Sequence, residues 1–149
     1  MTTDRYLRRL NWLANTISSR DERVKTGRSR ATNMVAPLDS DPVQTSPKDT
    51  LCEIMSDVVD TDKELSQYKA QFRYIMGQVN ELSGTYSAAY VYRKYVRDQS
   101  VKEIASEMNI SRSTAHRVQR EALAEFENLY GEIYKAANNF QFLEHFDTL

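Results

Sequence analysis

Arg112, Ser113, His116, Arg117 and Arg120 fall within one short stretch, at successive spacings of one, three, one and three residues. In a helix those spacings put all five on one face. The guanidinium groups can fork onto guanine edges or phosphate oxygens, and serine and imidazole supply shorter donors and acceptors. The chemistry open to such a face is hydrogen bonding and charge neutralisation, as in reading a nucleic-acid groove.

The flanking residues, Ser100 to Leu123, read as a helix-turn-helix that could hold that face rigidly. Ser100 and Glu103 have the spacing of a capping box. Ile104, Ala105 and Met108 share one face of the short helix that follows, and Ala105 is small enough for a close helix crossing. Asn109 sits where the turn needs a left-handed backbone, a conformation asparagine tolerates better than most residues. Ile110 plugs the turn, and Ser111 caps the next helix. Ala115, Val118 and Ala122 face inward, which turns Ser113, His116, Arg117 and Arg120 outward. In this geometry Arg112, Ser113, His116 and Arg117 are expected to meet base edges, and Ser100, Lys102, Thr114 and Arg120 the phosphate backbone.

Charge is unevenly distributed. The 149-residue chain has a net charge of −1, yet residues 1–30 carry eight Lys/Arg against three Asp/Glu. Residues 83–123 carry seven against four, whereas 31–82 carry four against nine and 124–149 one against five. Basic character is therefore concentrated in the N-terminal part and in the helix-turn-helix. A single cysteine, Cys52, excludes an internal disulfide and fits a reducing cytoplasm. Two histidines and one cysteine make no metal-ligand cluster, and no Gly-rich phosphate loop is present. No cofactor or metal is expected. No nucleophile, base and orienting acid can be assembled, so an enzyme is not expected either. The N-terminal residues lack a secretion-signal pattern, and no apolar run is long enough to span a membrane.

The elements that must carry the reading face follow from periodicity. Tyr6, Leu10, Leu13 and Ile17 mark an amphipathic helix over residues 1–20, with Leu7 and Trp12 nearby. Residues 21–45 lose periodicity and read as a flexible basic linker, whose Arg23, Lys25, Arg28 and Arg30 could also follow a DNA backbone. Ser46-Pro47-Lys48-Asp49 marks a helix start. From there Leu51, Ile54, Val58, Thr61, Leu65, Tyr68, Phe72, Ile75, Val79 and Leu82 keep a heptad frame, predicting one long coiled-coil-like helix over 46–83. That face can pack on its own chain or on a second copy. Gly84 is expected to end the helix in a left-handed conformation. Thr85 to Arg97 should form the first helix of a trihelical unit spanning 84–123, with Ala88, Val91, Tyr92, Tyr95 and Val96 inward. Residues 124–149 should extend the last helix to about Asn138 and finish in an apolar tail containing Phe140, Phe142, Leu143 and Phe146. The fold class is all-α, a long heptad helix plus a C-terminal helix-turn-helix domain.

The segment from Tyr95-Val96 through VKEIASEMNISRSTAHRVQREAL resembles the helix-turn-helix of region 4 of sigma-70-type factors. It is similar also to small phage regulators of the RinA/ArpU type, with ISRSTAHRVQR matching their recognition helix and Asp41-Pro42-Val43-Gln44-Thr45-Ser46 preceding a long helix. The resemblance implies a phage or prophage activator of late packaging and lysis genes, acting in the bacterial cytoplasm. The partners expected are double-stranded DNA, host RNA polymerase and a second copy of the chain, a dimer being favoured; no membrane is expected. Two alternatives stand beside it. A terminase small subunit would bind packaging-site DNA, although its DNA-binding unit usually comes first. A polymerase-docking factor would use the sigma-like unit without reading DNA.

Overall fold

In a computed structural model the described residues are 1–35 and 47–136. Among them all regular structure is helical, with no strand. The order is α1 (Thr3–Leu7), α2 (Arg9–Val35), α3 (Pro47–Asn80), α4 (Ser87–Val91) continuing into a π-helical turn (Tyr92–Val96), α5 (Val101–Glu107) and α6 (Arg112–Ala136). The chain divides into two compact units. One is built from Met1–Ala14 and the described residues from Ala70 onward, the other from Asn15–Lys69.

In the first unit the N-terminal stripe splits at Arg8 into α1 and the start of α2. Tyr6, Leu7, Leu10 and Leu13 are all buried, and Trp12 is exposed. The Tyr6 ring stacks on Tyr134 of α6 at 4.9 Å and lies 5.9 Å from Phe126. Polar tips in this aromatic core find partners, as buried polar groups must. The Tyr6 hydroxyl donates to Gln78 Oε1 at 2.9 Å, and the Thr3 and Tyr134 hydroxyls are 2.6 Å apart. Burial, chiefly through lost hydration, raises the Tyr6 pKa above its ordinary value.

The second unit is an antiparallel helical hairpin. Val24 of α2 packs with Val58 and Leu65 of α3, flanked by Ile17 and Ile54. Gly27 lets the helices come close, since a Cβ there would lie 2.5 Å from Val58 Cγ2. Charges flank this apolar seam. Arg23 pairs with Asp57 at 2.6 Å, Arg28 with Asp62 at 3.4 Å, and Arg20 with Glu64. The Arg20 guanidinium also lies 5.1 Å from the centre of the Tyr68 ring.

The hairpin corrects the sequence reading of residues 21–45 as a flexible linker. The chain is helical through Val35, and 36–45 lie outside the described residues. Apolar periodicity is weak there, and among the described side chains of residues 21–33 only Val24 and Ala31 are buried. The acidic face of α3 complements the basic one of α2.

The long helix is unbroken, as its heptad frame predicts, and runs across buried Thr61 to Asn80. Val58, Leu65, Ile75, Val79 and Leu82 are buried, and Leu51, Ile54, Tyr68 and Phe72 are half-buried. At Val58 and Leu65 the chain's own α2 covers this face. Gly84 does not take the expected left-handed conformation, for no described glycine has positive φ. A Cβ there would instead crowd the Ser87 hydroxyl, which would have to turn away. The α6 helix passes through residues 123 and 124 without a break and runs to Ala136, in keeping with the expected extension of the last helix. The apolar tail with Phe140, Phe142, Leu143 and Phe146 lies outside the described residues.

Candidate nucleic-acid interface

The helix-turn-helix is built from α4, α5 and α6. Ser100 opens α5 with both halves of the capping box: its hydroxyl accepts from the Glu103 N–H at 3.3 Å, and Glu103 Oε2 accepts from the Ser100 N–H at 2.7 Å. Backbone hydrogen bonding, with that of the Ser100 side chain, holds the Glu103 carboxyl below its ordinary pKa.

The α5 helix ends in a Schellman turn. The Ile110 N–H donates to Ala105 O at 3.0 Å and the Asn109 N–H to Ser106 O at 3.3 Å. Asn109 takes φ 54°, the left-handed conformation the sequence called for. Ile110 then packs with Val101 and Met108 on a core of Tyr90, Ile104, Ala105, Ala115 and Val118. Ala105 and Ala115, 4% and 0% exposed, allow the close crossing.

The first helix of the unit departs from expectation. It begins at Ser87 rather than Thr85, and it widens into a π-helical turn in which the Arg97 N–H reaches Tyr92 O at 3.2 Å. The wider turn places Tyr90, Val91 and Tyr95 inside together and rotates Tyr92, expected inward, to 41% exposure. Tyr90 is fully buried. Asp98 closes the segment at φ 53°, and the Gln99 amide donates to Glu107 at 2.9 Å while Arg93 pairs with the same carboxylate. These bonds fix the helix before the turn against α5.

On this platform α6 starts at Arg112. The Ser111 hydroxyl accepts from the Thr114 N–H at 3.1 Å, and its carbonyl accepts from the Ala115 N–H at 2.9 Å. Arg112, Ser113, His116, Arg117 and Arg120 are all exposed, and Lys102 is exposed on α5. Over Arg112–Arg120 the face is about 12 Å long at 1.5 Å rise per residue, comparable with the width of a major groove. Arg117 lies 3.8 Å from Glu121, with both side chains more than 60% exposed, so that pair holds it only weakly. Arg112 and Arg120 have no carboxylate partner among the described residues.

Two of the residues expected at the phosphate backbone are already engaged. The Ser100 hydroxyl lies 2.7 Å from Glu103 Oε2, and the half-buried Thr114 hydroxyl lies 2.8 Å from that of Ser111. Their first role is capping. Of the basic residues of the former linker, Arg23 and Arg28 bind α3 carboxylates and Lys25 binds Asp21 at 2.7 Å, while Arg30 is exposed with no carboxylate partner among the described residues.

Sequence reading misses Gln119. It is half-buried, accepts a hydrogen bond from the Tyr90 hydroxyl at 3.1 Å, and lines an open hollow with Ser113, His116, Arg120 and Leu123. Its position three residues after His116 and seven after Arg112 was the available signal.

Among the described residues no group of three or more His, Cys, Asp or Glu could hold a metal ion, and no helix is long and apolar enough to cross a membrane. No family model, curated protein or solved structure matches the chain.

Proposed function

We propose that this chain is a sequence-specific, double-stranded-DNA-binding transcriptional regulator with no enzymatic activity. The observation that carries this reading is the exposed run Arg112, Ser113, His116, Arg117 and Arg120 on the first turns of α6, mounted on a tightly closed helix-turn-helix. A helix N-terminus presented in this way can enter a major groove, with its polar side chains reaching base edges. The sigma-like and phage-regulator resemblance extends the proposal to activation of late phage genes, in contact with host RNA polymerase, in the bacterial cytoplasm.

A second copy of the chain is part of the proposal, since two half-sites are the usual target of such a unit. Val58 and Leu65 are already packed on Val24 of the same chain, so the copies meet through another surface. A single protomer mass by sedimentation at micromolar concentration would exclude the dimer without touching the DNA reading.

The test begins with selection of bound sites from a randomised duplex pool, followed by anisotropy titrations on the selected and a scrambled duplex. Arg117→Ala is expected to weaken binding to the selected duplex by about 1–3 kcal/mol and to the scrambled one much less. Equal losses on both would remove Arg117 from base reading. Absence of any enriched sequence would overturn sequence-specific recognition.

A further inference from the structure

The Tyr90 hydroxyl donates to Gln119 Oε1 at 3.1 Å. The tyrosine has no freedom to withdraw: it is fully buried among Ile104, Ala105, Ala115 and Val118. Burial raises its pKa, so the hydroxyl keeps its proton and acts as donor. A glutamine amide presents one oxygen acceptor and one NH2 with two donors. Here the oxygen is held, and Nε2 has no acceptor among the described residues. Gln119 shares its hollow with Ser113, His116 and Arg120, three residues of the exposed face of α6.

We propose that Gln119 contacts DNA, donating through Nε2 to an acceptor atom of a base edge or phosphate, with Tyr90 as the residue that fixes the amide's orientation. The inference rests on the DNA-binding reading above. A free glutamine pairs with adenine by using both amide atoms, accepting from N6 and donating to N7. Tyr90 occupies one lone pair of the Gln119 oxygen and leaves the second free, so the aimed amide can still accept from the adenine amine while Nε2 donates to N7. At a base it favours adenine, where both amide atoms are used, over guanine or thymine, which Nε2 alone would reach; at a phosphate it is indifferent to sequence.

The experiment compares wild type, Gln119→Ala, Gln119→Glu, Tyr90→Phe and Arg120→Ala on a randomised duplex pool. Each is then titrated against the wild-type-selected duplex at several salt concentrations, with thermal melts to verify folding. Gln119→Ala should weaken binding about three- to tenfold, the worth of one hydrogen bond. It should leave the salt slope unchanged because no charge is lost, whereas Arg120→Ala should lower that slope by about 0.9. Gln119→Glu, which retains an acceptor for Tyr90 but has no donor, should bind more weakly than Gln119→Ala.

If the acceptor is a base, Tyr90→Phe releases the amide and relaxes the base preference at one position of the selected site. If it is a phosphate, the Gln119→Ala loss is uniform across sequences. Should Tyr90→Phe fail to fold, the two Gln119 variants decide the matter. Folded Gln119→Ala matching wild type in affinity and preference overturns the proposal, as does Gln119→Glu binding as well as wild type. If wild type enriches no sequence from the pool, the DNA-reading proposal itself falls.

Discussion

The α5–α6 pair and the α2–α3 pair both carry exposed arginines, but the two sets have different chemistry available to them. On α2, Arg20, Arg23 and Arg28 each reach a carboxylate of α3. On α6, Arg112 and Arg120 have no carboxylate partner among the described residues, and Arg117 has only a 3.8 Å contact with Glu121. The difference lies in the facing helix. The α3 segment of the hairpin presents Asp57, Asp62 and Glu64 to its partner, whereas the opening turns of α6 pack inward through Ala115 and Val118 and leave their arginines exposed. A count of basic residues ranks these regions alike; their capacity for nucleic acid depends on whether an acid already occupies them.

The contrast can be broken at its foundations first. Ile104 is fully buried beneath the exposed face of α6. Ile104→Ala should lower stability by about 2–5 kcal/mol in urea unfolding, because the vacated volume can collapse only in part. A loss below about 1 kcal/mol would mean that α5 and α6 do not share the close-packed core described.

The hairpin is tested at Gly27. Alanine there gains about 1 kcal/mol of helix propensity, but its Cβ would lie 2.5 Å from Val58 Cγ2, and overpacking of that kind costs about 1–3 kcal/mol. A net loss of about 1 kcal/mol is expected, relieved when Val58→Ala is combined with it in a double-mutant cycle. Stabilisation by Gly27→Ala alone would show that the helices are farther apart.

Asn109 sharpens the other side of the comparison. At φ 54° an alanine costs about 1 kcal/mol, while Asn109→Gly should be tolerated. Equal melting temperatures for the alanine and glycine variants would contradict the left-handed turn.

The smallest effect is the most direct contrast with Arg117→Ala. Arg23→Ala should alter stability by at most about 1 kcal/mol, since the Arg23–Asp57 pair is well exposed, and should leave DNA affinity unchanged. A loss of specific binding equal to that of Arg117→Ala would show that the hairpin's ion pair opens onto DNA.

Local signals in the sequence predicted the features that depend on neighbours a few residues away. Ser100 and Glu103 form the expected capping box, Asn109 takes the expected turn, and the heptad frame crosses Thr61 without a break. The reading failed where distant residues decide. Residues 21–35 look like linker because so few of them are apolar, yet they are helical beside complementary charges of α3, with Arg23 and Arg28 each paired to a carboxylate 34 residues away. The exposure of Tyr92, expected inward, follows from a π-helical turn, which places residues five apart on one face and has no strong local signature.

By itself, then, the sequence determined the all-helical class, the capped turn at residues 100–111 and the five outward side chains of α6, because capping, left-handed backbone and helical period are short-range effects. The tertiary structure alone decided which cations have carboxylate partners, which part of the long helix is covered by its own chain, and that Tyr90 holds Gln119. Each of those depends on a side chain from another helix arriving within a few ångströms, which spacing along the chain does not encode.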